Sequence, residues 1–269
     1  MLESALLALV VFAGFAVEST LGFGATVVAV ALASLFMSIE RVLPSFVPLN
    51  MVLSATLAFR GRKELDARLL FTRIAPAVAV GMPLGMWLFG RAPEGALKLG
   101  FGVFIILLGA SELLRKGAQA ERSADDGAPV PAPSAPTVAP AKELSTGAAA
   151  ALLALGGVAH GAFGTGGPMV VYVMGKKLSG SKTTFRATLS LLWLVLNVLL
   201  MGSFFVAGRL GRGSVTLSVM LAPSLLVGLW VGQRLHDRIS LATFRFAVFV
   251  GLVVAGAVLV LRNLSVVVG

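Results

Sequence analysis

The sequence predicts an all-α integral membrane protein built from two inverted repeats, each a glycine-broken re-entrant helical hairpin followed by three transmembrane helices. The first reason is composition, because 57% of the 269 residues are hydrophobic and only 13% are charged, whereas soluble domains contain about 25% charged residues. The second is a series of apolar runs of membrane-spanning length. The third is a pair of glycine-rich segments at matching places in the chain.

Six apolar runs predict transmembrane helices. They are Val42–Phe59, Ile74–Gly90, Leu97–Leu114, Ala187–Gly208, Gly213–Gln233 and Phe246–Leu261. The net charge of +10 comes from basic residues between these runs, where Lys and Arg set topology and contact lipid head groups. We therefore expect membrane lipids, and not nucleic acid, as partners. The sequence contains no cysteine, which excludes disulfides and thiolate metal ligands.

A linker divides the chain into two halves of similar size. Residues 117–144 are rich in Pro, Ala and charged residues, a composition that cannot bury a core and predicts disorder. The linker separates a first transmembrane repeat, residues 1–116, from a second, residues 145–269.

The two halves are related by an internal repeat. IAPAVAVGMPLG (Ile74–Gly85) aligns with LAPSLLVGLWVG (Leu221–Gly232) at an offset of 147 residues, and the same offset pairs Asn50 with Asn197. Nearer the start of each half the offset falls to 143, which brings the two glycine-rich segments into register. Each half therefore contains one glycine-broken segment followed by three spans.

The broken segments are FAVESTLGFGA (Phe15–Ala25) and GVAHGAFGTGG (Gly157–Gly167). Each glycine costs roughly 1 kcal/mol in a helix relative to alanine, so a break is expected in both. The distribution of the 22 Lys and Arg residues favours hairpins over straight crossings. If each broken segment crosses the membrane once, the basic residues divide 12 to 10 between the two faces. If each broken segment is a hairpin, one face has only six of them. Those six are Arg41, Arg91, Lys98, Arg209, Arg212 and Arg262.

Three full crossings per half invert the second half relative to the first. The predicted topology is multi-pass, with both termini outside and the linker in the cytoplasm. Inverted repeats whose discontinuous helices meet near the middle of the membrane are typical of secondary transporters, and the substrate site lies where the repeats meet.

A helix that begins just after a glycine break presents free N–H groups and a partial positive charge, which favour an anion. We therefore predict a substrate site formed by the two breaks and the paired asparagines. Its residues are Ser19, Thr20, Gly22, Phe23, Gly24, Thr26, Asn50, Phe163, Gly164, Thr165, Gly166, Gly167 and Asn197. The alternatives are that the glycines only permit tight helix packing and that the asparagines make interhelical hydrogen bonds.

Glu18 and His160 lie on the first arms of the hairpins, one position apart in the repeat alignment. A carboxylate inside a bilayer needs a partner or a proton, and histidine titrates in the physiological range. Proton coupling and structural hydrogen bonding are equally open for this pair, and the two residues alone make a poor metal site. Arg41 and Arg186 follow the hairpins, where snorkelling to the interface competes with attraction of an anion. No metal or other cofactor is expected.

The breaks LGFGA and AFGTGG, together with the A-P-x-x-x-x-G-x-x-x-G pattern of the later helices, resemble the sulfite exporter TauE/SafE family. The resemblance covers most of the chain outside the linker. It implies transport of small sulfur-containing anions, such as sulfite, thiosulfate or organosulfonates, across the bacterial inner membrane. The first break has Ala25 where a third glycine is common in the family, so we expect Gly164–Gly167 to supply the larger share of the substrate contacts.

We predict a secondary transporter that moves one of these oxyanions by alternating access, and not an enzyme. The sequence contains no G-x-x-x-x-G-K-[ST] motif, so ATP-driven pumping by this chain alone is not expected. An anion channel of the same architecture is the first alternative, and a membrane-embedded enzyme that uses Glu18 and His160 is the second. A homo-oligomer is left open.

Overall fold

The computed structural model describes residues 2–21, 24–126, 144–178, 182–238 and 241–264, and every regular element within these ranges is helical. The first half contains α1 (Leu2–Leu21), α2 (Ala25–Ala33), α3 (Ile39–Arg60), α4 (Ala67–Leu69), α5 (Ala75–Arg91) and α6 (Glu94–Asp126). The second half contains α7 (Thr146–Phe163), α8 (Gly167–Lys177), α9 (Lys182–Val206), α10 (Arg212–Arg238) and α11 (Leu241–Asn263). A π-type turn over Leu70–Ile74 joins α4 to α5 without a break.

Eight of the helical segments in the described ranges are long and apolar enough to cross a membrane. Six of them, on α3, α5, α6, α9, α10 and α11, correspond to the runs predicted as spans, and the other two are α1 and α7. The prediction of an all-helical, multi-pass membrane protein is therefore confirmed. The short helices that follow α1 and α7 have only 9 and 11 residues, about half of a membrane span.

Each glycine break reverses the direction of the chain. A Cβ on Gly14 of α1 would lie 2.8 Å from the carbonyl oxygen of Ala25 and 3.2 Å from the Cβ of Ala29, so later residues of α2 meet earlier residues of α1. On α7, a Cβ on Gly156 would meet Val170 and the carbonyl oxygen of Gly166 at 3.1 and 3.3 Å. Both segments therefore fold as helical hairpins, with α2 against α1 and α8 against α7.

The paired glycines of the later helices pack each half against the hairpin of the other. A Cβ on Gly81 or Gly85 of α5 would overlap carbonyl oxygens of α7, those of Ala154 and Val158. Gly228 and Gly232 occupy the matching positions on α10 and meet carbonyl oxygens of α1, those of Phe12 and Ala16. Because small residues let backbones approach closely in membranes, the repeated G-x-x-x-G pattern produces the same contact twice.

Equivalent helices of the two halves also pack on each other, in opposite directions. Gly61, at the end of α3, lies against Ala187 near the start of α9. In α6 and α11, Gly102 meets Gly256, whereas the later Gly109 meets the earlier Phe249. The buried core between these layers consists mainly of aliphatic side chains with a few phenylalanines, including the stacked pair Phe15 and Phe46, whose ring centroids are 5.1 Å apart.

Arg209 and Arg262, two of the six basic residues that the sequence assigns to one face, lie at the same end of the helix bundle. The Arg209 guanidinium pairs with Glu40 at 3.6 Å and donates to the carbonyl oxygen of Gly90 at 3.3 Å. Arg262 donates at 3.1 Å to the carbonyl oxygen of Leu35, in the turn that precedes α3. Basic residues that the topology assigns to one side therefore lie together.

The last helix of the first half is longer than expected. Helix α6 continues to Asp126, past the predicted boundary at residue 116 and into the segment predicted as linker. The sequence QAER within this extension consists of good helix formers, which explains its helical conformation. Residues 127–143 of the predicted linker lie outside the described residues.

Candidate functional site

The tips of the two hairpins meet at one cavity of about 40 Å³. One water needs about 10–15 Å³, so the cavity accepts a few non-hydrogen atoms. From the first half it is lined by Glu18, Gly24, Thr26 and Asn50. From the second half it is lined by His160, Gly164, Thr165, Gly166 and Gly167.

At the first tip, the chain turns at Gly24, which has φ +107°, a value that glycine adopts without strain. The Glu18 carboxylate accepts a hydrogen bond of 2.8 Å from the N–H of Ala25, the first residue of α2. An anionic side chain at this position satisfies a free N–H and complements the helix dipole. The positive end of α2 is therefore already occupied by a carboxylate of the protein.

The asparagine of the first half is held next to this tip. The Asn50 amide nitrogen donates to the Thr26 hydroxyl oxygen at 3.0 Å, and Asn50 is only 6% exposed. The Asn50 amide oxygen is buried and has no hydrogen-bond partner among the described residues. Since a hydroxyl can accept or donate, rotation of the amide would keep the Thr26 contact and exchange the two polar atoms.

At the second tip, α7 ends at Gly164, whose φ is +66° and whose N–H bonds the His160 carbonyl at 2.8 Å. Gly166 packs so closely on α7 that a Cβ would overlap the carbonyl oxygen of Gly156. Helix α8 then begins at Gly167, with Pro168 in its first turn. The N–H groups of a first helical turn lack intrahelical partners, and within the described residues no carboxylate caps them as Glu18 caps α2.

The His160 side chain lies beneath this open helix start. It is 1% exposed, and its imidazole stacks on the Trp193 indole with ring centroids 5.7 Å apart and planes 7° from parallel. In the described part of the chain neither ring nitrogen has a hydrogen bond of good geometry, although the Asn197 side chain lies within reach of the ring. Because a buried polar group without a partner is costly, these nitrogens indicate that water or a ligand belongs in the cavity.

The paired asparagine of the second half lies behind the histidine. The Asn197 side chain is next to the imidazole and fully buried, and its amide atoms lack hydrogen-bond partners among the residues described. Asn197 does not line the cavity, so it contacts the site through His160 rather than directly.

Three other predicted substrate contacts face away from the cavity. The Ser19 hydroxyl donates to the Leu229 carbonyl at 2.9 Å, and the Thr20 hydroxyl lies within hydrogen-bond distance of the Gly232 carbonyl at 3.0 Å. Phe163 stacks with Phe101, with ring centroids 4.9 Å apart. These side chains join helices, so we remove them from the site. The predicted residues Gly22 and Phe23 lie outside the described ranges.

Neither candidate arginine reaches the cavity. Arg41 is exposed and lies 3.9 Å from Glu3, an ion pair at the surface. Arg186 is also exposed, near the start of α9, but its positive charge acts at longer range on the Glu18 carboxylate. Of the two, Arg186 is therefore the one whose field extends to the site.

The apolar wall of the cavity was not predicted from the sequence. Leu108 of α6 and Phe249 and Leu252 of α11 close one side, and Trp193 closes another. The leucines and the phenylalanine carry no signal that separates them from lipid-facing residues. Trp193 could have been identified, because it lies four positions before Asn197 on α9, and residues at that spacing share a helix face.

The arrangement offers hydrogen-bond donors to a small anion. The donors are the first N–H groups of α8, the Thr165 hydroxyl and the His160 imidazole, which has one N–H when neutral and two when protonated. No group of three or more His, Asp or Glu side chains that could hold a metal ion occurs within the described residues. These donors are of the kind that oxyanions accept hydrogen bonds from.

Comparison with known proteins gives one finding. The sequence model of the family described as sulfite exporter TauE/SafE matches residues 6–259, nearly the whole chain. Neither the curated proteins nor the solved structures include a significant match. The chain therefore belongs to the sulfite exporter TauE/SafE family, as its glycine breaks and its duplicated A-P-x-x-x-x-G-x-x-x-G pattern indicate.

Proposed function

We propose that the chain is a secondary transporter of a small sulfur-containing oxyanion, namely sulfite, thiosulfate or an organosulfonate, across the bacterial inner membrane. The observation that carries the proposal is the cavity between the hairpin tips, where the uncapped start of α8 and the buried His160 side chain line the same space. Membership of the TauE/SafE family supports the substrate class.

The anion binds at the start of α8. Its oxygens accept hydrogen bonds from the N–H groups of Gly167 and Met169, since Pro168 has no N–H, and from the Thr165 hydroxyl. The His160 imidazole donates one N–H when it is neutral and has a second donor when it is protonated. On the opposite wall, the Asn50 amide adds a donor if it rotates about its contact with Thr26.

The two hairpins enter the membrane from opposite leaflets and return to the side from which they came. In support, Arg41 at the start of α3 lies 3.9 Å from Glu3 at the start of α1, as expected if the first hairpin does not cross. The opposite directions of α3 and α9 support inversion of the second half. With the charge bias, this topology gives outside termini and a cytoplasmic linker.

Transport proceeds by alternating access around the cavity, with the hairpin tips held at the middle of the membrane. The substrate gradient or protons supply the energy. His160 is the candidate proton carrier, because it lines the cavity, whereas the Glu18 carboxylate is engaged with α2. One anion and one proton entering together would reduce the charge moved through the low-dielectric site.

The test is uptake into proteoliposomes of sulfite, sulfate, thiosulfate, taurine and sulfoacetate, each with and without a pH gradient. We expect saturable uptake of at least one sulfur oxyanion and counterflow when the vesicles are preloaded with it. Uptake without saturation or counterflow would favour the channel. Movement of neutral or cationic solutes alone would exclude an anion transporter.

A double variant, His160→Ala with Glu18→Gln, separates transport from catalysis. Retained uptake of the unmodified anion, with an unchanged response to the pH gradient, would remove both the embedded enzyme and proton coupling through these groups. Loss of the pH-gradient response with retained downhill uptake would instead support coupling.

A further inference from the structure

The two hairpins contain equivalent positions for one polar side chain. Gly14 and Gly156 each let the second arm of a hairpin pack closely on the first. Four residues further along each first arm are Glu18 and His160, on the same helix face as the glycine. Both side chains line the shared cavity, so the chain presents a carboxylate at one tip and an imidazole at the other.

The Glu18 carboxylate occupies the position of a helix-bound anion. Its Oε2 atom accepts from the first N–H of α2 at 2.8 Å, which is the interaction that a bound oxyanion makes at a helix start. The carboxylate comes from another helix, seven residues earlier in the sequence. It is therefore not a local N-cap of the usual kind, in which the residue before the helix supplies the group.

The surroundings of this carboxylate are polar beyond the helix start itself. Asn50, 94% buried, lines the same cavity, and its amide oxygen has no partner among the described residues. Thr26, in the first turn of α2, lines the same cavity and accepts a hydrogen bond from the Asn50 amide. Rotation of the Asn50 amide about its contact with Thr26 would turn its NH2 group to the cavity, where this group and the free N–H groups of α2 can donate to an oxyanion.

We propose that the start of α2 is a second, latent oxyanion site that Glu18 fills as a tethered ligand. The native protein therefore holds one substrate anion, at α8, although the repeat supplies two sites. Removal of the Glu18 side chain opens the second site to a small oxyanion or carboxylate. This inference rests on the proposed function only in assigning the substrate anion to α8. The existence of a site at α2 does not depend on that function.

The first test counts bound anions. Full-length protein in lipid nanodiscs is titrated with sulfite by isothermal calorimetry, as the native protein and as Glu18→Ala, Glu18→Gln and Glu3→Ala. We expect one sulfite per chain for the native protein and two for Glu18→Ala. Glu18→Gln keeps an oxygen that can accept from Ala25, so it should bind one. Glu3→Ala removes a negative charge from the exposed start of the same helix and should also bind one.

The second test does not depend on sulfur anions. Formate is a free carboxylate that matches the one removed, so it should raise the Tm of Glu18→Ala by about 2–4 °C, as expected for a ligand that binds only the folded state. The native protein and Glu18→Gln should show no such rise. If Glu18→Ala is recovered only in part, formate during purification should increase the folded fraction.

The outcomes separate the two proposals. One sulfite per chain in both the native protein and Glu18→Ala, with no response to formate, would overturn the latent site and leave the proposed function intact. Unfolding of Glu18→Ala regardless of formate would also overturn it, since a vacated site should accept the free carboxylate. Absence of sulfite binding by the native protein, together with formate stabilisation of Glu18→Ala, would contradict the sulfite assignment alone.

Discussion

The two halves of the chain are alike where they pack and unlike where they meet the cavity. Gly85 on α5 and Gly232 on α10 make the same close backbone contact with the hairpin of the other half. At the tips, the first half caps its short helix with Glu18, whereas the second leaves α8 open above His160. The two halves thus make matching close contacts between helices, whereas the side chains at their tips differ, with a carboxylate bound to the start of α2 and none bound to the start of α8 among the described residues.

The largest effect should come from breaking the shared packing. Gly85→Ala and Gly232→Ala each place a Cβ into a backbone carbonyl, so we expect comparable loss of folded protein, because overpacking costs about 1–3 kcal/mol or more when backbone must move. Thermal unfolding of the purified variants measures this loss. Gly202→Ala, on α9, is the matched control, since nothing lies within 4 Å of the added Cβ. Unequal losses in the two halves would argue against equivalent contacts.

The next largest effect should distinguish the tips. Thr165→Val removes a hydroxyl donor at the open helix start while keeping shape, and a hydrogen bond to a charged group contributes about 1.5–3 kcal/mol. We therefore expect sulfite affinity to fall roughly 10- to 100-fold, as measured by calorimetry. Thr26→Val makes the same change at the capped tip and should alter affinity much less. Equal effects would mean that the anion contacts both tips alike.

A smaller effect, which should appear only when a pH gradient is imposed, concerns the stimulation of uptake by protons. His160→Gln keeps a hydrogen-bonding side chain but cannot gain a proton, so a pH gradient should no longer stimulate uptake while downhill transport continues. Glu18→Gln should retain the stimulation. Uptake into proteoliposomes with and without the gradient measures both, and the opposite pattern would assign the proton to Glu18.

The smallest effect should come from the arginines, and it should depend on salt. Arg186 acts on the site through its field, which ions screen within about 10 Å at 0.1 M. Arg186→Gln should lower the initial uptake rate at low ionic strength, with the difference disappearing at high salt. Arg41→Gln removes an exposed charge paired only with Glu3 and serves as the control with no change expected. An Arg186 effect that persists at high salt would indicate direct contact instead.

The sequence predicts where the backbone turns better than it predicts which way a side chain points. Glycine breaks predict reversals because glycine tolerates positive φ, as observed at Gly24 and Gly164. Ser19 was predicted to contact the substrate, but its hydroxyl donates to the Leu229 carbonyl instead. The reason is that Ser19 follows Glu18 by one residue, which turns it about 100° around the helix. The cap by Glu18 could not be predicted, since it depends on how closely α2 folds back on α1.

The cavity wall illustrates a second limit of sequence patterns. Leu108 and Leu252 close the site, but in a chain surrounded by lipid an apolar residue has the same composition signal whether it faces lipid or the interior. Polar residues are more informative, because burial without partners is costly in the membrane. Asn50 and His160 are therefore the side chains that composition and repeat position could identify.

The most direct test of the central claim is to locate a bound substrate analogue. Selenite has the shape of sulfite and a strong anomalous signal, so crystals of the native protein grown with selenite should show its position. We expect one peak per chain, within hydrogen-bond distance of the Gly167 N–H and the Thr165 hydroxyl, and none beside the Ala25 N–H. A peak that displaces the Glu18 carboxylate from α2, while α8 stays empty, would contradict the account.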